Sequence, residues 1–177
     1  LLMLFREDNS SKKQRISTMP EFSESLIKLQ GEILEHYHNK NLVYAEKLLI
    51  SFTEKYPSHP FGWNLLGGLF KKTGRLSYAA NACKKLLEVD PENAVAHNNY
   101  GSILQELGKP WEAETSYKRA REIEPDLVEV HMNLGATLFT LGKYDESLKS
   151  LNKVIKLKPA HHLSHKILGD VLQKIGK

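Results

Sequence analysis

The feature that most restricts the fold of this chain is a constant spacing of 34 residues between its prolines and glycines. A column of small residues shares the same spacing. Four columns in one register are typical of a repeat architecture, in which each unit buries its apolar face against its neighbours. The columns are Pro57, Pro91, Pro125 and Pro159; Gly67, Gly101, Gly135 and Gly169; Gly74, Gly108, Gly142 and Gly176; and Ala45, Ala79, Ala113 and Ser147.

Between these columns the apolar residues follow the period of an α-helix. In VAHNNYGSILQEL they fall close to the i, i+3, i+4 and i+7 pattern, at Val95, Tyr100, Ile103, Leu104 and Leu107. A second helical segment, WEAETSYKRAREI, follows within the same repeat. Each repeat is therefore predicted to be two helices, and the fold class to be an all-α solenoid of antiparallel helix pairs.

Glycine and proline set the predicted helix ends. The second glycine of each repeat, such as Gly108, follows the first helix, where a left-handed conformation costs glycine little. Proline ends the second helix because it cannot donate the next backbone hydrogen bond. Asp90, Asn93 and Asp126 stand where they are expected to cap the helices that follow.

The first glycine of each repeat lies in the middle of a helix. A glycine there costs about 1 kcal/mol relative to alanine, so its return in every repeat predicts that a neighbouring helix approaches closely. The Ala/Ser column on the second helix is expected to provide the complementary shallow surface.

One repeat reads WNLLGGLFKKTGRLSYAANACKKLLEVDP and matches the pattern W-x2-L-G-x2-Y…A…P. The matching residues are Trp63, Leu66, Gly67, Phe70, Gly74, Ala79, Leu86 and Pro91. On these residues the chain resembles the tetratricopeptide repeat family, and the resemblance implies a right-handed α-solenoid, the TPR superhelix. It divides an array at 23–177 into a degenerate repeat, three clear repeats and a half-repeat, at 26–59, 60–93, 94–127, 128–161 and 162–177.

Residues 1–22 precede this array and carry the polar, mildly basic run REDNSSKKQRIS. We predict a disordered or weakly ordered N-terminal segment there. Because the first residue is Leu1, the start of the reading frame is left open between Met3, Met19 and an upstream codon.

Composition narrows the functional classes. The net charge of +4 is mild, and basic residues alternate with Glu as on solvated helix faces, which disfavours nucleic-acid binding. The longest apolar run is far shorter than a membrane span. The one cysteine, Cys83, excludes an internal disulfide and a Cys-based zinc site within one chain. We therefore expect a cytoplasmic protein that binds neither nucleic acid nor membrane.

Three histidines, His97, His131 and His165, take the place that Trp63 has in its own repeat. This position predicts a packing role with one ring nitrogen hydrogen-bonded. Successive helical layers lie about 10 Å apart, so a shared metal site is geometrically poor. His161 and His162 have chelating spacing to His165, but no carboxylate or thiol nearby completes a metal site, and we predict no metal and no cofactor.

Catalytic motifs are absent from the sequence, which has no Gly-rich phosphate loop, no GxSxG and no HExxH. Cys83 stands where Tyr117 and Leu151 stand in later repeats, which predicts a small core residue with a raised pKa. We predict that these residues do not form an enzyme.

The resemblance places the functional surface on the first helices, which line a concave groove in the family. Asn64 and Asn98 share one groove column, and Asn99 and Asn133 share the next. A carboxamide carries both a donor and an acceptor, so a ladder of them can bind the backbone of an extended peptide. The candidate partner-binding residues are Asn64, Asn98, Asn99, Ser102, Glu106, Met132, Asn133 and Thr140.

The leading hypothesis is a protein–protein interaction scaffold that binds a partner protein or extended peptide in this groove. The alternative is the substrate-recognition arm of a larger glycosyltransferase, sulfotransferase or methyltransferase, because the asparagine-rich repeats resemble those of O-linked GlcNAc transferase and of bacterial repeat-transferase proteins. A third hypothesis, a metal-dependent role of the histidine column, predicts sensitivity to a chelator. Ile167, Leu168 and Leu172 lie on one face of the last helix with no second helix to cover them, which makes that helix a candidate surface for self-association.

Overall fold

The computed structural model describes residues 9–176, with side chains from residue 24 onward. This part of the chain contains nine α-helices and no strand. The chain divides after Leu49 into two units. The helices are α1 Asn9–His38, α2 Leu42–Lys55, α3 Pro60–Lys72, α4 Leu76–Val89, α5 Ala94–Glu106, α6 Pro110–Ile123, α7 Val128–Thr140, α8 Tyr144–Leu157 and α9 His162–Lys174.

The first unit contains α1 and the beginning of α2. Ile33, Ala45 and Leu49 are fully buried. Residues 1–8 of the predicted N-terminal segment lie outside the described residues. α1 runs through the predicted boundary between residues 22 and 23, and that boundary stays a prediction.

In the second unit each first helix packs on the second helix of its own repeat, α3 on α4, α5 on α6 and α7 on α8. Each second helix then contacts the next first helix, and α7 also contacts α5 and α9 directly. Contacts limited to neighbouring repeats are the pattern of a solenoid, so the predicted all-α fold of helix pairs is confirmed. This packing sets the first helices side by side.

The turn between the two helices of a repeat uses the predicted glycine. Gly74, Gly108 and Gly142 have φ values of 74°, 73° and 73°. After α3, the amide of Gly74 donates to the Lys71 carbonyl at 3.0 Å and the amide of Arg75 donates to the Phe70 carbonyl at 2.8 Å. These two bonds form a Schellman motif, which confirms the predicted role of this glycine column.

The glycines in the middle of the first helices make room for the paired second helix in three repeats. A Cβ added at Gly67 would lie 3.2 Å from Cys83 Sγ, and one at Gly101 would lie 2.7 Å from the Tyr117 ring. At Gly135 the nearest atoms belong to Leu151, at 2.9 Å. The expectation is wrong at Gly169, where nothing lies within 4 Å, because no second helix follows α9 among the described residues.

The helix caps are only partly as predicted. The second helices α4, α6 and α8 each end two residues before a proline, as expected. Asn93 caps α5, since its side chain accepts from the Ala96 amide at 2.8 Å. The prediction for Asp126 is wrong, because Leu127 is the N-cap of α7 and Asp126 instead pairs with Lys153 at 2.7 Å.

Cys83 is buried in the core, with 4% of its surface exposed. Burial raises the pKa of its thiol to about 11, against a smaller opposing effect of Lys71. The prediction of a small core cysteine with a raised pKa is confirmed. Within residues 9–176, no helix combines the length and the apolar character that crossing a bilayer requires.

Candidate functional site

The predicted groove residues lie on α3, α5 and α7, and the side of these helices that carries them is called the first-helix face. Residues three and four apart share one side of a helix, which brings each helix's candidates together. Two more positions complete the face: Lys71 bonds to the next repeat, and Gln105 accepts from Tyr117 of its own repeat and lies near Thr137 of the next. The face comprises Asn64, Lys71, Asn98, Asn99, Ser102, Gln105, Glu106, Met132, Asn133 and Thr140.

A carboxamide pair joins α5 to α7. Asn133 Nδ2 donates to Asn98 Oδ1 at 3.0 Å. Asn98 is 7% exposed, so it lies in the interhelical seam, whereas Asn133 is half-buried. The bond orients both amides and leaves a donor, Asn98 Nδ2, and an acceptor, Asn133 Oδ1, without a partner among the described residues.

A charged contact joins α3 to α5. Lys71 Nζ donates to Ser102 Oγ at 2.7 Å and lies 3.2 Å from Glu106 Oε1. Both Lys71 and Glu106 remain solvent-accessible. The pair therefore adds little stability, but it holds Ser102 and Glu106 at a fixed place on the face.

The remaining predicted residues are more open. The side chains of Asn64 and Asn99 are exposed and make no hydrogen bond to another described residue, so both carboxamides are available to a ligand. Thr140 is exposed but donates its hydroxyl to the Ala136 carbonyl at 3.1 Å. Met132 is half-buried beside Asn133.

Gln105 is a groove position of the repeat that is not among the candidate binding residues, yet it bonds to a core residue. Its Oε1 atom lies 3.3 Å from both Tyr117 Oη and Thr137 Oγ1. Thr137 has one hydroxyl proton, which it donates to the backbone carbonyl of Asn133 at the shorter distance of 2.8 Å, so the bond to Gln105 comes from Tyr117. Tyr117 is fully buried, and burial raises the pKa of its phenol to about 12, which keeps it a neutral donor.

The histidine column makes the predicted ring hydrogen bond, but the predicted burial holds only for His131, since His97 is half-buried and His165 is exposed. Each imidazole Nε2 bonds to the carbonyl of the proline six residues earlier: His97 at 3.0 Å, His131 at 2.7 Å and His165 at 2.8 Å. Trp63 donates its indole N–H to Pro57 in the same way, at 2.7 Å. The histidines therefore replace tryptophan as ring donors, and they are part of the scaffold rather than of the face.

His161, at the start of α9, acts as a local cap. His161 Nδ1 lies 3.3 Å from the Ser164 amide and 2.8 Å from Ser164 Oγ, which makes His161 the N-cap of α9. Among the described residues, no group of three or more His, Cys, Asp or Glu side chains is placed to hold a metal ion.

Comparison with known proteins places this architecture. Two tetratricopeptide repeat family models match the chain, one at residues 82–115 and the other at residues 128–161. No curated protein matches the sequence significantly.

Several solved structures share this fold. Their sequence identity to this chain is low, so the similarity concerns the fold and not the function. MamA superposes with a TM-score of 0.82 at 18% identity, over 87% of this chain and 84% of that one. YrrB, described as a TPR protein with an unusual peptide-binding site, gives 0.78 at 20% identity, over 91% and 83%. The first TPR domain of Spaghetti, bound to an HSP90 peptide, gives 0.65 at 24% identity, over 67% and 94%. With its 34-residue columns, its helix pairs and its two matched stretches, the chain contains tetratricopeptide repeats at residues 82–115 and 128–161.

Proposed function

We propose that this protein is an interaction scaffold whose first-helix face forms a groove for an extended segment of a partner protein. The observation that carries the proposal is the carboxamide pair of Asn98 and Asn133, flanked by the exposed amide of Asn99. An oriented pair with one open donor and one open acceptor matches the N–H and C=O of a peptide unit.

Two structural relatives support the choice of a peptide as ligand. The Spaghetti domain was solved with an HSP90 peptide, and YrrB is described as having a peptide-binding site. The transferase-arm alternative gains no support from the matched families or structures.

We further propose that these residues act by binding rather than by catalysis, in the cytoplasm. The one thiol is buried with its pKa raised, which disfavours a nucleophilic role, and its free state suits a reducing compartment. Self-association through α9 stays a prediction, which sedimentation over a range of protein concentrations would test.

The test is a binding measurement with a panel of fluorescein-labelled ten-residue peptides of different sequence, read by anisotropy. We expect members of the panel to bind, and Asn99→Ala combined with Asn133→Ala to weaken binding about tenfold or more, since each lost hydrogen bond costs about 1 kcal/mol. Methylation of the peptide's backbone nitrogens is expected to have a similar effect.

The matched control is Asn152→Ala, which removes an exposed asparagine from the second helix α8. Its affinity should equal that of the wild type. Failure of every peptide to bind, or equal losses in the control and the double variant, would contradict the proposal.

A further inference from the structure

A chain of hydrogen-bonded side chains connects α3, α5 and α6 and ends on the first-helix face. It begins at Lys71, whose ammonium donates to Ser102 Oγ at 2.7 Å. Ser102 bonds in turn to the phenol of Tyr117, and the Tyr117 hydroxyl donates to Gln105 Oε1 at 3.3 Å. The chain therefore starts at a cation on one first helix and ends at a carboxamide on the next.

The bonds of this chain all run in one direction. An ammonium has donors and no acceptor, so Ser102 accepts from Lys71. Burial raises the pKa of Tyr117, and the bond from Ser102 lowers it, which identifies Ser102 as the donor in that bond. The single proton of Tyr117 is then left for the Gln105 oxygen.

Burial makes the last bond of the chain hold Gln105 in place. Tyr117 is fully buried, so no water competes with Gln105 for its hydroxyl proton. A buried hydroxyl without an acceptor is unfavourable, and bonds in a chain of donors strengthen one another. The Gln105 carboxamide is therefore kept with its oxygen turned toward Tyr117.

This orientation leaves the amide nitrogen of Gln105 open. Nε2 makes no hydrogen bond within the described part of the chain, and it is not among the buried polar atoms that lack a partner there, so it reaches solvent. Asn98 has the same arrangement, because its oxygen accepts from Asn133. Asn98 and Gln105 lie about two turns apart on α5, which places both on one side of the helix.

We propose that Gln105 binds a backbone carbonyl of the partner segment and that Tyr117 is the positioning residue that orients its amide. This role rests on the proposed function and adds a direction to it, since at Asn98 and Gln105 the protein donates and the partner accepts. Neutral donors bind a carbonyl oxygen whatever side chain follows it. The loss of an N–H at the bound peptide bond is tolerated there, because the carbonyl remains.

Three variants test this role, with the tightest-binding fluorescein-labelled peptide of the panel as the probe. Gln105→Ala should weaken binding about fivefold, the effect of one lost hydrogen bond. Gln105→Glu keeps the shape but removes the donors, and should weaken binding at least as much. Tyr117→Phe removes only the hydroxyl and should weaken binding about threefold, because Gln105 remains but is free to turn.

A double-mutant cycle separates positioning from a general structural effect. In the Gln105→Ala background, Tyr117→Phe should cause no further loss of affinity, whereas a loosened fold would weaken binding in both backgrounds. The matched control is Tyr100→Phe, which removes the hydroxyl of a tyrosine on α5 that packs against the same core cluster. Its affinity should equal that of the wild type. Urea denaturation shows that each variant is folded.

Changes in the peptide test the direction of the bond. A scan that replaces one carbonyl oxygen at a time by sulfur, a weaker acceptor, should identify a peptide bond at which the wild type loses affinity and Gln105→Ala loses none. N-methylation at that bond should leave the effect of Gln105→Ala unchanged, because the methyl group removes a donor and not the acceptor.

The outcomes distinguish this role from the proposed function. If the Asn99→Ala and Asn133→Ala double variant weakens binding but Gln105→Ala and Tyr117→Phe do not, only the role of Gln105 and Tyr117 is overturned. Equal losses from Tyr117→Phe in both backgrounds, or a sulfur scan without a position that depends on Gln105, would also overturn it. If no peptide of the panel binds, both proposals are wrong.

Discussion

A single ring N–H recurs at one point of the first helix in four successive repeats. Trp63 supplies it as an indole, and His97, His131 and His165 supply it as imidazoles, each to a proline carbonyl that has no helical partner. His131 Nδ1 is the one buried polar side-chain atom without a partner among the described residues, so the Nε2–H form of the ring serves this bond. The sequence showed that histidine replaces tryptophan at this position. The structure gives the reason, because both side chains supply a ring N–H to the proline carbonyl.

Replacing His131 by phenylalanine removes that donor while keeping a flat ring. His131 is 6% exposed, so the Pro125 carbonyl loses its bond with little access to water, and we expect the free energy of unfolding to fall by about 1–2 kcal/mol. His165→Phe is the matched change at an exposed position and should cost less than half as much. Urea denaturation measures both, and a larger loss for His165→Phe would contradict this account.

The mid-helix glycines offer a second matched pair. Gly101→Ala places a methyl group 2.7 Å from the Tyr117 ring and is expected to destabilise the protein by about 1–3 kcal/mol. Gly169→Ala meets open space and should gain up to about 1 kcal/mol from helix propensity. Thermal unfolding of both variants checks the sign, and effects of the same sign would show that close packing does not explain this column.

At the scale of helices, successive repeats are linked by charge as well as by apolar packing. The buried Glu114 of α6 accepts from Lys143, which precedes α8, while the equivalent basic residue of the repeat before, Lys109, pairs only with Glu112 on its own helix. If the two repeats shifted, Glu114 would lose Lys143 and remain as a buried, uncompensated charge. The Glu114–Lys143 pair therefore favours one register between the two repeats.

The Glu114 link predicts a pH dependence. Its pKa is lower in the folded protein than the ordinary 4.5, so its ionised form stabilises the fold above that value. The contribution is lost as the pH falls through the lowered folded value. Glu114→Gln should therefore lose less stability than the wild type on acidification from about pH 5 to about pH 3. Chemical denaturation at several pH values tests this, and identical losses in both proteins would contradict it.

At the scale of the whole molecule, the second unit depends on contacts between neighbouring repeats. Its cores are shared across helices, as where Leu104, Ala113 and Tyr117 pack with Leu134 and Leu138 of the next repeat. Such a unit opens by separation of neighbouring helices rather than by loss of a single central core.

Cys83 reports on that opening. Its thiol is 4% exposed and its pKa is raised to about 11 by burial, so it should react slowly with a thiol reagent in the native protein. We expect the rate to rise in parallel with unfolding in urea, since only opening of the unit exposes the sulfur. Rapid labelling of the native protein would contradict the buried position of this residue.

The sequence by itself determined the helix pairs, the turns and the core positions of this protein. These depend on local preferences of the backbone, such as the left-handed φ of Gly108 and the missing N–H of Pro91, and on an apolar period that repeats every 34 residues. The cap at Asn93 and the buried position of Cys83 were also predicted from the sequence, for the same local reasons. The columns also predict which residues belong to the first-helix face, because equivalent positions of successive repeats lie on the same side of the array.

Only the tertiary structure decided which side chains meet. Asp126 pairs with Lys153 instead of capping α7, Asn98 pairs with Asn133, and Glu114 pairs with Lys143. These partners stand 27 to 35 residues apart, so their distance depends on how one repeat packs on the next. From the local sequence, a polar side chain could pair with any of several groups. Burial and geometry at the interface between repeats determine which pair forms.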